Sequence, residues 1–141
     1  MIERTLSILK PDAVERNLIG KINAMFEESG LRISAQKMIT LTKEQARLFY
    51  MEHEDKNFFE DLVEYMTSGP IVVQVLEGDE AIKKNRAIMG KTNPHEASAG
   101  TIRSLYGESV QRNCVHGSDS VNSVDREKSF FFSQTEIHSR F

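Results

Sequence analysis

The chain has 141 residues, of which 39% are hydrophobic and 28% are charged, and its formal net charge is −3. The length predicts a single domain over residues 1–141, and the composition is typical of a soluble globular protein rather than a disordered one. The overall acidity argues against a specific nucleic-acid-binding protein.

The first half of the chain predicts two strands and two helical segments. RTLSILK alternates apolar and polar residues and stops before Pro11, which is typical of a strand. Pro11 opens a helical segment whose apolar residues recur at helical spacing up to Phe26, with Gly30 as its C-terminal cap. LRISAQKMIT predicts a second strand, and TKEQARLFYMEHE predicts a helix that Thr42 opens as N-cap.

The second half predicts two more strands among helices. NFFEDLVEYMTSG carries an apolar stripe and predicts a helix ending near Gly69. PIVVQVL predicts a buried strand, and GDEAIKKNRAIMG predicts a short helix closed by Gly90. NCVH predicts a fourth strand, and SVNSVDREKSFFF predicts the last helix. This order predicts an α/β (α+β) protein, a ferredoxin-like split βαβ sandwich in which helices cover a four-stranded antiparallel sheet.

The segment before the fourth strand is unusual in both pattern and charge. Residues 91–112 have weak periodicity and predict a long loop, which in a compact domain is usually functional. Residues 83–112 hold six Lys or Arg against two Glu, a net +4 in a chain of net −3. The segment is either a solvated basic face or an anion site.

The stretch NCVHGSDS places His116 at the predicted end of a strand, before small polar residues that leave room for a large ligand. A structural role for His116 is equally compatible with this pattern, whereas His53, His95 and His138 are predicted to be surface residues. HxxxH, HExxH and CxxC spacings are absent, which argues against a metal site. Cys114 would share a strand face with His116, but its neighbours predict a core residue rather than a Cys–His dyad.

A histidine beside a cluster of cations suits phosphoryl transfer. Neutral imidazole is a nucleophile near pH 7, and phosphoryl transfer needs positioning and positive charge on the phosphate oxygens. Arg86 and Arg103 fit this task through their bidentate guanidinium groups, and Lys10 ends a strand where its ammonium could also reach a phosphate. Each of these cations taken alone could equally be a surface charge. The chain has neither a GxxxxGK[ST] nor a GxGxxG motif, so any nucleotide site is of another kind.

NCVHGSDS resembles the N-x-x-H-G-S-D-S signature of the nucleoside diphosphate kinases, and the resemblance covers essentially the whole chain. ERTLSILKPDAV, FFEDLVEYMTSGPIVVQVLEG, NRAIMGKTNP, AGTIR and REKSFFF are similar to that family in the same order. The resemblance implies an enzyme that transfers the γ-phosphate of a nucleoside triphosphate, typically ATP, to a nucleoside diphosphate. It also implies a ping-pong mechanism through a phosphohistidine, with Mg²⁺ carried by the nucleotide phosphates and no metal ligand from the protein.

The resemblance also implies a role for each matching residue. His116 would be the nucleophile, with Tyr50 close to it and with Ser118 and Glu127 beside it, Glu127 orienting the ring. The nucleotide-binding residues would be Lys10 for the ribose and terminal phosphate, Phe58 for the base, Arg86 and Thr92 for the β-phosphate, Arg103 for the transferred phosphate and Asn113 for the ribose 3′-hydroxyl.

Two positions depart from the family pattern. Lys56–Asn57 replaces the frequent Arg-Pro before the base-stacking phenylalanine, and Leu105 stands where an aspartate is frequent. With the short tail after FFF, Leu105 bears on assembly. The resemblance implies a homo-oligomer, with a tetramer favoured over a hexamer or a dimer.

A cytoplasmic location is expected for this chain. The first residues lack an apolar leader, the longest apolar run is too short to span a membrane, and one cysteine excludes an internal disulfide. The competing functions are a nucleotide-binding regulator that has lost its chemistry and a nucleic-acid-binding protein. The intact set of catalytic-type residues argues against the first, and the acidity argues against the second.

Overall fold

A computed structural model describes all 141 residues. Its four strands are β1 (Ile2–Leu9), β2 (Arg32–Ile39), β3 (Ile71–Asp79) and β4 (Val115–Gly117). They form one sheet in the order β2–β3–β1–β4, and every neighbouring pair is antiparallel. This arrangement confirms the predicted ferredoxin-like sheet.

Seven α-helices connect and cover the strands. They are α1 (Pro11–Glu15), α2 (Ile19–Glu28), α3 (Lys43–Phe49), α4 (Phe59–Met66), α5 (Ala81–Met89), α6 (Ile102–Tyr106) and α7 (Val121–Phe131). Short 3₁₀ turns occupy Met51–His53, Pro94–Glu96 and Gln134–Glu136. None of the helices combines the length and the apolar character needed to cross a membrane.

The sheet carries a hydrophobic core on each face because side chains alternate along its strands. Leu6 and Ile8 of β1 join a core of 16 buried residues to which α3, α4 and α7 contribute. Leu9 joins a second core of 13 buried residues to which α1, α2, α5 and α6 contribute. Helices therefore cover the sheet on both sides.

Local signals explain where several helices begin and end. The Thr42 side chain accepts a hydrogen bond from the Gln45 backbone N–H at 3.1 Å, and the Gln45 side chain binds back to complete a capping box before α3. Ser120 caps α7 in the same way through Ser123. Gly30 follows α2 with φ +93°, a left-handed conformation that glycine adopts readily.

Several predicted boundaries are wrong. The helix predicted over TKEQARLFYMEHE ends at Phe49, and β3 continues to Asp79, into the segment predicted to be the next helix. The single helical segment predicted from Pro11 to Gly30 is two helices, separated where Asn17 adopts φ +60°, a conformation that asparagine tolerates better than most residues. The predicted long loop contains α6, which Thr101 caps through the Ser104 backbone N–H. The fourth strand starts at Val115 rather than at Asn113, because Cys114 has φ +74° and cannot continue a strand.

Candidate active site

A cleft of about 660 Å³ opens beside the end of β4. Ten residues were expected at the site from the sequence, and nine of them line this cleft: Lys10, Tyr50, Phe58, Arg86, Thr92, Arg103, Asn113, His116 and Glu127. They come from six different parts of the chain, so the fold assembles them from positions that are distant in sequence. Ser118 is the exception, since it is fully buried outside the lining.

His116 lies on β4 directly opposite Ile8 of β1 and therefore projects toward the face of the sheet that α3 and α7 cover. Its side chain is 25% exposed, and Nε2 is hydrogen-bonded to the Glu127 carboxylate. The Phe49 ring packs edge-on against the imidazole, with the two ring centroids 5.6 Å apart. The imidazole is therefore held from two sides while part of it faces the cleft.

Glu127 reaches His116 because α7 turns back beside the strand end. Ser120 caps this helix only four residues after His116, so the second turn of α7 carries Glu127 over the imidazole. A carboxylate can only accept, so Nε2 carries the proton, and Nδ1 keeps the lone pair. The ring nitrogen that Glu127 does not bind therefore has the free lone pair.

Lys10 is a buried cation held by an amide. Its Nζ donates to Asn113 Oδ1 at 2.8 Å, and the residue is only 8% exposed. Burial lowers the pKa of Lys10 to about 8, and the positive charge of Arg103 adds to the decrease. The Asn113 amide nitrogen donates in turn to the carbonyl oxygens of Thr92 and Val110, at 3.0 and 2.8 Å. Asn113 is therefore a fixed bridge between Lys10 and the loop.

Arg103 is held by backbone carbonyl oxygens rather than by an acid. Its guanidinium donates to Gly90 O at 2.9 Å and to Val115 O at 2.7 Å, and it is 8% exposed. Burial lowers the pKa of Arg103 to about 10, and the nearby charge of Arg86 contributes. Arg86 projects from α5 into the same cleft and is exposed.

No carboxylate pairs with Lys10, Arg86 or Arg103, three of the cations that line the cleft. The ion pairs of the molecule involve other residues, and within the cleft Glu127 is bound to His116. Lys10, Arg86 and Arg103 therefore leave an unneutralised positive charge beside a nucleophilic imidazole. Such a site favours a bound anion with several oxygens, as a phosphate chain has. Arg86 and Arg103 belong to the basic segment, so their placement favours the anion-site interpretation of that segment over a solvated face.

The cleft also has an apolar part. Phe58 is 48% exposed, and its ring centroid lies 5.6 Å from that of His53. Val110, from the connection before β4, is 57% exposed and lines the same cleft. Exposed apolar side chains in a polar cleft offer a flat group a place to stack.

Val110 and His53 also line the cleft. The sequence gives no indication of Val110 and predicts His53 only as a surface residue. The role of Val110 could not be predicted because a single apolar residue in a weakly periodic segment does not form a recognisable pattern. His95 and His138 lie outside the cleft lining, as expected for surface residues.

Cys114 is fully buried, which confirms its assignment to the core, but the prediction that it shares a face with His116 is wrong. It packs in the core on the opposite face of the sheet, because its left-handed backbone precedes the strand instead of forming part of it. Burial raises the pKa of the Cys114 thiol to about 12, so the thiol is protonated and protected.

The side chains do not form a metal cage. No group of three or more His, Cys, Asp or Glu side chains is arranged to hold a metal ion. Besides Glu127, the carboxylates in the cleft lining are Glu52 and Asp119, and both are exposed. Any metal ion here would have to arrive with its own ligands.

Comparison with known proteins gives a consistent family. A family model described as nucleoside diphosphate kinase matches residues 3–137. The nucleoside diphosphate kinase of Acidiphilium cryptum is 60% identical over 135 residues, which cover 96% of each chain. That of Halorhodospira halophila is 58% identical over 139 residues, which cover 99% of each chain.

Solved structures agree over the same length. The crystal structure of the Aquifex aeolicus nucleoside diphosphate kinase superposes with a TM-score of 0.95 at 45% identity, covering 97% of this chain and 99% of that one. The halophilic enzyme of Halobacterium salinarum, solved in complex with CDP, superposes with a TM-score of 0.96 at 40% identity, covering 100% of this chain and 94% of that one.

Proposed function

The chain belongs to the nucleoside diphosphate kinase family and transfers the γ-phosphate of a nucleoside triphosphate to a nucleoside diphosphate, and we propose that His116 carries the phosphoryl group between the two nucleotides. The observation that carries this proposal is the orientation of the imidazole. Glu127 binds Nε2, which leaves Nδ1 free beside three cations without acidic partners.

In the first half-reaction, the lone pair of His116 Nδ1 attacks the γ-phosphorus. The bond from that phosphorus to the β,γ-bridging oxygen breaks, and the nucleoside diphosphate leaves with the electron pair. In the second half-reaction, a terminal oxygen of another nucleoside diphosphate attacks the same phosphorus, and the N–P bond breaks. The imidazole gains positive charge when Nδ1 bonds to phosphorus, and the Glu127 carboxylate on Nε2 stabilises that charge.

The cleft cations stabilise the phosphate oxygens during this transfer. Arg86 and Thr92 hold the β-phosphate, Arg103 holds the transferred phosphate and Lys10 contacts the terminal phosphate and the ribose. Their hydrogen bonds to carbonyl and amide oxygens orient Lys10 and Arg103 without neutralising them. Both N–H groups of Asn113 are engaged with the backbone, so its Oδ1 is the atom that accepts from the ribose 3′-hydroxyl.

Tyr50 lies close to the imidazole and supports the transferred phosphate. Its hydroxyl is buried without a hydrogen-bond partner, and its ring centroid lies 6.3 Å from that of His116. Burial and then the charge of Glu127 raise the pKa of Tyr50, so the hydroxyl keeps its proton and acts as a donor. Ser118 lies two residues after the nucleophile, and its buried hydroxyl has no partner either, which agrees with a supporting role rather than a direct contact.

Phe58 binds the base by stacking. Every base has a π-face, so stacking on an exposed phenylalanine gives affinity with little discrimination among bases. This property suits an enzyme that balances several nucleotide pools.

Family members use Mg²⁺ with their nucleotides, and this cleft fits an ion carried by the substrate. Mg²⁺ retains water and commonly binds through substrate phosphates plus one or two carboxylates. The lining offers isolated acids instead of a cluster, so the nucleotide phosphates would hold the ion, with exposed Asp119 as an acid available beside them. When bound, Mg²⁺ neutralises part of the phosphate charge.

Residues 1–141 form one nucleoside diphosphate kinase domain in this proposal, acting in the cytoplasm as a homo-oligomer, with a tetramer favoured. The match over residues 3–137 supports the single domain. The edge strand β2 exposes Met38, and α6 exposes Leu105, so both are available to partner subunits. Light scattering coupled to gel filtration measures the subunit number directly.

A pulse–chase experiment tests the phosphohistidine. Wild type, His116→Ala and His138→Ala receive γ-labelled ATP with Mg²⁺ and are then chased with unlabelled GDP. We expect acid-labile label on wild type and on His138→Ala, and its discharge into GTP. Label that persists on His116→Ala would overturn the assignment. Nucleotide binding without labelling of any protein would instead indicate a regulator that has lost its chemistry.

A further inference from the structure

A buried carboxylate lies next to the active site without taking part in it. Asp12 is fully buried, is absent from the cleft lining and lies two residues after Lys10. One of its oxygens accepts a hydrogen bond from the Tyr65 hydroxyl, and the other has no hydrogen-bond partner. A half-satisfied buried carboxylate is costly. A hydrophobic residue would fill the same space at a lower cost, so the charge itself needs an explanation.

The Asp12–Tyr65 contact joins three segments that build the nucleotide cleft. Asp12 is the second residue of α1, the helix that Lys10 precedes, and its backbone N–H also approaches the Tyr65 hydroxyl oxygen, at 3.4 Å. Tyr65 lies on α4, the helix that follows Phe58. The guanidinium carbon of Arg112 is 5.5 Å from the Tyr65 ring centroid, and Arg112 precedes Asn113, the hydrogen-bond partner of Lys10.

The charges around Lys10 show what Asp12 supplies. Three groups act electrostatically on the Lys10 ammonium: Arg103 of α6 lowers its pKa, whereas Asp12 and Cys114 raise it. Burial lowers the pKa of Lys10 more than any of these groups does. Cys114 contributes no negative charge near neutral pH because burial raises its own pKa to about 12. Asp12 is therefore the one anionic side chain among these groups that favours the charged form of Lys10.

We propose that Asp12 and Tyr65 are a positioning pair that keeps the Lys10 ammonium charged and in place for the nucleotide phosphates. The proposal rests on the function proposed above for Lys10. Tyr65 holds the carboxylate in place by donating a hydrogen bond from its hydroxyl. The negative charge of the carboxylate, buried in the protein, stabilises the charged form of Lys10. Asp12 does not form a direct ion pair with Lys10, whose ammonium instead donates to Asn113 and lines the cleft. Neither Asp12 nor Tyr65 contacts substrate.

The test is an NMR titration of the Lys10 side chain in the apo enzyme, which does not depend on activity. Lysine-labelled wild type, Asp12→Asn and Tyr65→Phe are titrated from pH 6 to 11, and a Lys10→Arg spectrum identifies the signal. We expect a wild-type midpoint near 8. Asp12→Asn should lower it by about one pH unit, as expected when a nearby opposite charge is removed. Tyr65→Phe should lower it by less, because it removes only the hydrogen bond that favours the carboxylate. Asp79→Asn is the matched control, since Asp79 is exposed and pairs with the chain N-terminus, and it should leave the midpoint unchanged.

A kinetic measurement adds a readout that a purely structural role would not move. The basic limb of kcat/KM for a nucleoside diphosphate should shift to lower pH in Asp12→Asn, by the same amount as the NMR midpoint. In the Lys10→Arg background, Asp12→Asn should cause no such shift, because arginine stays charged throughout this range. A folded Asp12→Asn protein whose Lys10 midpoint is unchanged or raised overturns the proposal. If Asp12→Asn does not fold, an unchanged or raised Lys10 midpoint in folded Tyr65→Phe overturns the proposal. A lowered midpoint in a protein that fails to transfer phosphate would contradict the proposed function and leave the pairing intact.

Discussion

The hydrogen bond between Glu127 and His116 makes a quantitative prediction about the first half-reaction. Glu127→Gln keeps the size of the side chain and can still accept a hydrogen bond from Nε2, but it removes the negative charge. Hydrogen bonds to charged groups contribute about 1.5–3 kcal/mol, against about 0.5–1.5 for neutral ones. The expected loss of transition-state stabilisation is thus about 1–2 kcal/mol, or about 5- to 30-fold in rate.

Glu127→Ala should be more damaging because it also releases the imidazole. The side chain of Glu127 is 7% exposed, so its removal leaves space in which the ring can rotate. A misplacement of about 1 Å can cost about 10²-fold in rate, so we expect a total loss of about 10²- to 10³-fold.

The assay is a rapid-quench measurement of acid-labile label from γ-labelled ATP in a single turnover. The chain has no tryptophan, so intrinsic tryptophan fluorescence cannot report the step. Asp125→Asn, an exposed change on the same helix, is the control and should leave the rate within twofold of wild type. Equal labelling rates in Glu127→Gln and wild type would refute the reasoning that the charge stabilises the phosphorylated ring.

Three further predictions concern the base, a buried cation and Gly117, the last residue of β4. Phe58→Ala should raise KM for every nucleotide tested by a similar factor, about 5- to 150-fold from stacking energies of about 1–3 kcal/mol, and a loss confined to one base would contradict base-independent stacking. Lys10 has a pKa near 8 in the folded protein and 10.5 ordinarily, so the unfolded chain binds more protons between these values. As the pH increases through that window, the free energy of unfolding of wild type minus that of Lys10→Met, both measured by urea denaturation, should therefore increase by up to about 1.4 kcal/mol per pH unit. A difference that decreases with pH would contradict this prediction. Gly117→Ala should destabilise the protein by about 1–3 kcal/mol in thermal unfolding. Its Cβ would press on the Asn85 amide and would lie 2.8 Å from Met89 Cε, whereas Gly20→Ala, with open space around it, should be neutral or stabilising.

The sequence predicted the sheet and most of the site because both depend on local patterns. Alternation marked β1 to β3, and their order along the chain left few topologies to consider. The site residues lie in motif-bearing segments next to strand and helix ends, so the family resemblance located nine of the cleft residues before any geometry was known.

What the sequence could not predict depends on backbone conformation and on contacts between distant segments. The left-handed conformation of Cys114 moved the start of β4 and placed the thiol on the other face from His116, and no pattern in NCVH indicates it. The role of Val110 and the Asp12–Tyr65 contact depend on residues brought together from far apart in the chain. A residue whose importance lies in such a contact has no local signature.

The distribution of acids and carbonyls around the site explains how the cleft can be rigid and still positive. Had carboxylates held Lys10 and Arg103, a phosphate would have had to displace an ion pair before binding. Amide and carbonyl oxygens hold both cations at fixed distances instead, and these oxygens orient a charge without cancelling it. Because both cations are buried without an acidic partner, their pKa values are lowered. A bound phosphate chain supplies the missing negative charge and stabilises both cations. Glu127, the one acid in direct contact with His116, binds Nε2 and leaves Nδ1 for the proposed transfer. Negative charge is thus placed where the reaction creates a cation and withheld where the substrate brings its own anion.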